Sequence, residues 1–328
     1  MQTTAEVFQH NISMKKQLLL FFLIITTIHI YAQERIVPLK FGDMEQWTVR
    51  YIKESKLLGG KTKQLYVLAP TDTMHGNFAY DYSNTIWGIS NAYANVAGIA
   101  KAACTTQPEK RGNGTCARLD TRIETVRVLG MVDIQVCIAG TLFLGQVIEP
   151  VKSANDPYGN IDMGIPFTDK PKALMLDIKA NVNPEHKVTK ALGFGVSEIE
   201  GHDEPEVYIF LQKRWEENGR IYAKRVGTAR HRFAESIPEW KNNYRVNINY
   251  GDISNEPYFK KYMGLFPDGG VFKAKNSKGK MTNITEVGWA DADETPTHVI
   301  VMITAGCYPA FYGCPGNAFW VDNIRWIY

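Results

Sequence analysis

Several scarcities narrow what this chain can be. Its 328 residues hold 37 Lys+Arg against 34 Asp+Glu, so neither sign dominates, and the one-sided positive field expected of a nucleic-acid binder is missing. Only one long apolar run occurs, Leu18 to Ile30, which excludes a multi-pass membrane protein. Cysteine is limited to five, with no CxxC pair and no His at zinc-finger spacing, so a structural zinc is not expected. Local catalytic signatures fail as well. Gly60-Lys61-Thr62 would need Gly at position 55 to end a phosphate-binding loop, and Ser55 stands there. Gly88-Ile89-Ser90-Asn91-Ala92 and Gly195-Val196-Ser197-Glu198-Ile199 both lack the second Gly of a nucleophile elbow, and no H-E-x-x-H occurs. Asp291-Ala292-Asp293-Glu294 lacks the Gly and Glu of an EF-hand loop and reads as a solvated turn. What is present, 45% hydrophobic and 22% charged residues, is the composition of an ordinary globular chain.

Met14-Lys15-Lys16, the apolar run and Tyr31-Ala32-Gln33-Glu34 have the layout of a secretory signal peptide: a cationic start, a core too short for a comfortable span, and a small residue before a polar segment. Cleavage is expected after Ala32. The polar segment Met1 to Ser13 fits nothing ahead of such a signal, so residues 1–13 read as a start-site extension, 14–32 as the signal and 33–328 as a single exported domain with no membrane anchor. No Cys follows the apolar run, which argues against a lipoprotein.

In an oxidising compartment the cysteines read as disulfides. Cys104 and Cys116 bracket a polar Gly-containing stretch, Cys307 and Cys314 bracket Tyr308 to Gly313, and each pair could close a local loop; Cys137 is the odd, buried thiol. The alternative is five unpaired core residues.

Beyond the signal, short runs rich in Val, Ile, Tyr and Phe are bounded by Gly, Pro, Asn and Asp. In Tyr244-Arg245-Val246-Asn247-Ile248-Asn249-Tyr250 apolar and polar residues alternate, as in a half-buried strand. The pattern predicts an all-β chain of antiparallel strands, a jelly-roll β-sandwich with long decorating loops such as Ser153 to Asp162 and Lys273 to Asn283. Trp320 and Trp326, an even number of residues apart in the last strand, should share one face and lie in the core.

Leu39-Lys40-Phe41-Gly42-Asp43-Met44-Glu45-Gln46-Trp47 opens the exported part, and Gly313-Cys314-Pro315-Gly316-Asn317-Ala318-Phe319-Trp320-Val321-Asp322-Asn323-Ile324 leads to the end of the chain. Between them stand Trp87-Gly88-Ile89-Ser90-Asn91, Ala139-Gly140-Thr141-Leu142-Phe143-Leu144-Gly145, Gly164-Ile165-Pro166-Phe167-Thr168-Asp169-Lys170-Pro171 and Ile237-Pro238-Glu239-Trp240. In this order they resemble the putative carbohydrate metabolism domain family of secreted Bacteroidetes proteins, from about Phe41 to Tyr328. The resemblance implies a jelly roll, export, and a role in glycan binding or processing, without a catalytic pair. The chain departs from the family pattern at Asn323, where a second Asp is usual, and at the loop framed by Cys307 and Cys314.

Related sandwiches often hold a structural Ca²⁺ where first and last strands meet, which makes Asp43, Glu45 and Asp322 candidate ligands; the alternative is that Glu45 and Asp322 satisfy turn N–H groups. A pyranose needs an aromatic platform for its C–H face and polar groups for its hydroxyls. Of the seven tryptophans, Trp87 and Trp289 have polar, loop-like neighbours, as does Tyr158 in Asn155-Asp156-Pro157-Tyr158-Gly159-Asn160, and these three are the expected platforms. Hydrolysis would need two carboxylates across a cleft. The stretch Glu198, Glu200, Asp203, Glu204, Glu206 is the densest source, although a charged surface turn accounts for it better. The expected function is therefore an exported, non-catalytic binder of poly- or oligosaccharide in a glycan utilisation system. Alternatives are a glycoside hydrolase, xylanase-like or related, and a structural or adhesive surface module.

Overall fold

Runs of alternating residues cut by Gly, Pro and Asn favour strands, and in the computed structural model nearly every regular element is one. Residues 34–128, 132–153, 155–268 and 270–328 are described. The signal segment 14–32 and the extension 1–13 lie outside them. Of two units, Met1–Arg35 and Ile36–Tyr328, the second holds all the structure that follows. Among the described residues the only helical elements are three single 3-10 turns, and no helix is long and apolar enough to cross a membrane.

In chain order the strands begin with β1 (Ile36–Pro38), β2 (Trp47–Lys53), β3 (Thr62–Leu68), β4 (Asp72–His75), β5 (Trp87–Ile89), β6 (Ala92–Val96), β7 (Ile99–Ala103), β8 (Thr106–Arg111) and β9 (Gly114–Asp120). There follow β10 (Arg122–Val128), β11 (Val132–Ile138), β12 (Thr141–Val147), β13 (Ile161–Met163), β14 (Ile165–Pro166), β15 (Ala173–Asn181), β16 (Lys187–Phe194) and β17 (Val196–Glu200). The last are β18 (Glu206–Glu217), β19 (Arg220–Arg232), β20 (Ile237–Asn247), β21 (Asn249–Tyr250), β22 (Lys273–Lys275), β23 (Met281–Trp289), β24 (His298–Thr304), β25 (Tyr312–Gly313) and β26 (Ala318–Ile327).

Two sheets make the sandwich. The first runs β20-β15-β26-β9-β8, with β1 also on β26, and the second runs β13-β12-β24-β18-β19-β23-β22, with β5, β14 and β21 at its flanks. Smaller sheets are β10-β11-β16-β17 with β25, β3-β2-β4, and β6-β7. The all-β sandwich expected from the strand pattern is borne out. Its pairing is antiparallel with two exceptions among the named strands, β2–β4 and β19–β23, which are parallel.

Leu174, Leu176 and Ile178 of β15 and Phe319, Val321 and Ile324 of β26 meet Val207, Ile209 and Leu211 of β18 and Val299, Val301 and Ile303 of β24. Each such side chain, removed from water, contributes roughly 1.5–3 kcal/mol. The alternate residues of β18, Tyr208 and Phe210, enter a second core with Phe143, Phe272 and Ile300. Sheet two is thus covered on both faces, which is why Val207 to Leu211 is an unbroken apolar run.

The motif glycines serve close approaches. A Cβ on Gly88 would overlap the Phe143 ring of β12, and one on Gly164, whose φ is +87°, would meet the Arg214 guanidinium and the Val299 carbonyl. At the chain's two ends, Leu39 N–H donates to the Ile324 carbonyl at 3.0 Å and Ile324 N–H to the Gly42 carbonyl at 2.8 Å. The opening and closing motifs therefore do meet, at the middle of β26.

Candidate functional site

The site begins with a break in alternation. Val321 and Ile324 of β26 both point into the core, although two residues separate them, because Asp322 and Asn323 form a bulge. Asn323 has φ +52°, a left-handed conformation that Asn tolerates better than most residues, and its N–H is accepted by the Asp322 carboxylate at 2.7 Å. The extra residue shifts the phase of the strand. Trp326 lies in the core, as expected, but Trp320 does not share its face: it stands on the outer side of sheet one, where Asp322 also emerges.

Register assembles the rest. Lys179, Trp320 and Arg118 sit opposite one another across β15, β26 and β9, and Asp177 lies opposite Asp322 one row further on. Glu109 of the edge strand β8 accepts the Trp320 indole N–H at 2.8 Å and pairs with Arg118 at 2.8 Å. From the same strand Arg111 reaches back over the face. Its Nη1 binds Asp177 at 2.9 Å and Asp322 at 2.5 Å, its Nη2 donates to Asn242 at 2.7 Å, and its guanidinium lies 3.8 Å from the Trp240 ring centroid. Both indoles are half-buried, so each keeps part of its surface open beside this polar fringe.

The carboxylates are split electrostatically. Burial pushes Asp177 up, but the Asn243 N–H, the Asn323 amide and Arg111 outweigh it and hold the group below the ordinary carboxylate range. Burial pushes Asp322 up, and the neighbouring Asp177 charge adds to the rise against the bonds to Arg111 and Asn323. Arg325, 3.5 Å from Asp177 and 2.8 Å from the Asn243 side chain, closes the cluster.

Other expected residues lie elsewhere. Trp87 is not a platform: it is 0% exposed, with its indole N–H given to the Lys40 carbonyl at 2.7 Å. The polar neighbours that suggested a loop are themselves spent inside, since Asn91 bonds Tyr66, Thr105 and Thr106. Tyr158 is half-buried, its hydroxyl accepting the Ala310 N–H at 2.6 Å. Trp289 is half-buried 5.8 Å from the Arg225 guanidinium. Neither joins the outer face of sheet one.

The calcium set does not assemble. Asp322 is neutralised by Arg111, Glu45 accepts the Thr115 N–H at 3.0 Å, and Asp43 meets the Glu45 N–H at 3.5 Å. Among the described residues no group of three or more His, Cys, Asp or Glu could hold a metal ion. Asp322 pairs with a guanidinium instead of a metal ion, and Glu45 satisfies a backbone donor.

The disulfides are corrected too, for all five cysteines are free. Hairpin register puts Cys116 opposite Glu109, five residues along from Cys104, a displacement of about 16 Å that no disulfide spans. Cys314 turns its thiol to the Lys187 carbonyl at 2.8 Å, while the backbone N–H groups of Cys307 and Cys314 both donate to Asp203 at 2.8 Å. The loop is closed by that carboxylate instead. The acidic stretch is accordingly not one solvated turn: Glu198 and Glu200 are exposed, but Asp203 is buried and Glu206 is buried against Arg230 and Arg232.

Arg111, Arg118, Asp177 and Lys179 were not singled out by sequence reasoning. The signal for two of them is present, as Asp177 and Lys179 are the polar residues alternating with Leu176, Ile178 and Ala180. A shallow depression of about 300 Å³, lined by Glu54, Leu58, Lys101 and Thr125, shares no residue with the face, and Lys101 is already bound to Glu54 at 3.1 Å.

Fold and site together define a β-sandwich whose first sheet presents an aromatic and ionic outer face. Residues 61–176 match the family model described as "Putative carbohydrate metabolism domain". That segment contains three of the ordered motifs, from Trp87 to Pro171, and over it the resemblance read in the sequence is borne out. Among solved structures the chain is similar to a putative glycoside hydrolase from Bacteroides thetaiotaomicron, at 18% identity and TM-score 0.45 over 82% of this chain and 76% of that one. It is also similar to a putative glycoside hydrolase from Bacteroides vulgatus, at 15% identity and TM-score 0.41 over 89% and 94% of the two chains. No curated protein matches it.

Proposed function

We propose that this chain is an exported, non-catalytic carbohydrate-binding protein of a glycan utilisation system, and that its outer face on sheet one takes a poly- or oligosaccharide. The observation that carries the reading is the pair of half-open indoles, Trp240 and Trp320, set among fixed guanidinium, amide and carboxylate groups on one face of sheet one. Indole surface suits the C–H face of a pyranose, and the fringe suits its hydroxyls. An open face pre-ordered by ion pairs fits an extended chain better than a small molecule in a pocket. Export follows from the signal-like segment 14–32, and the family match over 61–176 supports the carbohydrate class.

The carboxylates of this face are not disposed for catalysis. A general acid needs a proton to deliver to the glycosidic oxygen, and its partner needs a free lone pair aimed at the sugar or at water. Asp177 and Asp322 spend their oxygens on Arg111, Asn243 and Asn323, and both side chains are only 7% exposed.

Hydrolysis is the second reading, favoured by one observation: the same two carboxylates flank a single nitrogen and are displaced in opposite directions, the pattern of an acid and its partner. The test is native electrophoresis of residues 33–328 through gels of plant and host polysaccharides, with released reducing ends assayed on the same mixtures. Retardation without product is expected. Product abolished by Asp322→Asn would establish the second reading, and neither retardation nor product would leave a structural or adhesive module.

A further inference from the structure

We propose that the saccharide taken by this face is anionic, with one carboxylate or sulfate group set on the Lys179 ammonium; the inference rests on the carbohydrate reading above. Its basis is an imbalance in how the cations of the face are used. Arg118 is held by Glu109 at 2.8 Å and by Asp120 at 2.9 Å. Arg111 is held by Asp177 and Asp322, and Arg325 by Asp177 and Asn243. Lys179 is different. It is half-buried, its Nζ lies 4.9 Å from the Trp320 ring centroid, and among the described residues no carboxylate stands within ion-pair reach of it.

The position suits a ligand contact. Register fixes Lys179 beside Trp320, and Glu109 fixes the indole through its N–H, so the ring and the ammonium keep one relation to each other. The ammonium lies over part of the Trp320 ring, 4.9 Å from its centroid. A sugar stacked on the open part of Trp320 would carry its ring substituents past that ammonium. A neutral hydroxyl gains little from an ammonium that water already serves well, whereas an anionic substituent gains a charge-assisted bond. Lysine, a compact charge with rotatable donors, accepts either a uronate carboxylate or a sulfate ester without demanding bidentate geometry. Because the other cations are matched, a single anionic group per bound segment suffices, and the bond should be screened by salt.

The test uses matched pairs of polymers in affinity gels: polygalacturonate against its methyl ester for the carboxylate, and carrageenan against agarose for the sulfate. The protein should bind at least one charged polymer about tenfold more tightly than its neutral partner. Lys179→Met should abolish the difference, Lys179→Arg should retain it, and Lys278→Met, the same charge change in an exposed turn, should leave it intact. A circular-dichroism melt of Lys179→Met checks that the sheet is unaltered. Equal binding of charged and neutral members, or a preference that survives Lys179→Met, overturns the proposal while the carbohydrate reading stands. No retardation by any polymer removes both.

Discussion

Arg111→Met removes a charge and keeps a flexible apolar chain against Trp240. The guanidinium is 18% exposed and the two carboxylates it joins are 7% exposed each, so the pairs are mostly desolvated. Breaking one partner out of a buried ion pair costs about 3–5 kcal/mol, because the remaining charge stays buried without compensation. Partial exposure of Arg111 places this case near the lower end, at about 3 kcal/mol. The loss should depend on pH in a defined direction. Without Arg111 the folded-state pKa of Asp322, already raised, must rise further, so the variant's deficit is full at neutral pH and shrinks as acid protonates the group. In the parent chain Asp177 is held low, and its contribution persists above the unfolded value of about 3.9 and is lost only below it. The gap between parent and variant should therefore narrow between pH 7 and about pH 4.5. Urea unfolding at both values measures it, and adding Asp177→Asn and Asp322→Asn to Arg111→Met should recover most of the loss. A deficit under about 1 kcal/mol, or one constant with pH, would refute the reasoning, since it would mean that water screens the cluster.

Three further outcomes follow from particular residues. Asn323→Val forces a β-branched residue into φ +52° and should cost about 1–2 kcal/mol in urea unfolding, whereas Asn323→Gly, losing mainly the bond to Asp177, should cost less; equal effects would deny the bulge its role. His298 is pushed down to about 4, by burial first and then by Arg214, with Asp162 opposing; since the unfolded value is near 6.5, the folded chain should lose stability as pH falls from about 6.5 to 4. The size is about 2 kcal/mol after allowing for partial exposure, and His298→Gln should flatten that window, whereas parallel pH curves would contradict the assignment. Alkylation of the unfolded chain without reductant should modify all five cysteines, and native labelling should be slow, because burial raises Cys104 to about 11 and Cys116, Cys137 and Cys307 to about 12. Protection of two or four thiols in the unfolded chain would restore the disulfide reading.

How much of this was legible depends on whether a feature obeys local periodicity. The strands were, because β-branched and aromatic runs between Gly, Pro and Asn carry their own signal, and so was the meeting of the opening and closing motifs. Trp320 was not, because counting by twos fails across a bulge that becomes visible only when Val321 and Ile324 are both found in the core. Asp322 is expected from the sequence as a calcium ligand, and it binds Arg111 instead. Its partner Arg111 lies 211 residues away in sequence, and only the order β15-β26-β9-β8 brings them together. Trp87 is not legible because polar neighbours suggest exposure, whereas Asn91 is a buried hydrogen-bonding post. The Cys104–Cys116 pair fails on register, which sequence separation does not encode, and the Cys307–Cys314 loop is closed by Asp203 instead.

Glycan binding should reside on the outer face of sheet one. The most direct measurement compares the parent with Trp240→Ala and Trp320→Ala, side by side, in gels of whichever polysaccharide retards the parent. Each variant should migrate as it does in a gel without polymer, or nearly so, while its thermal melt stays close to the parent's. Undiminished retardation of both folded variants would place the binding surface elsewhere and contradict the account.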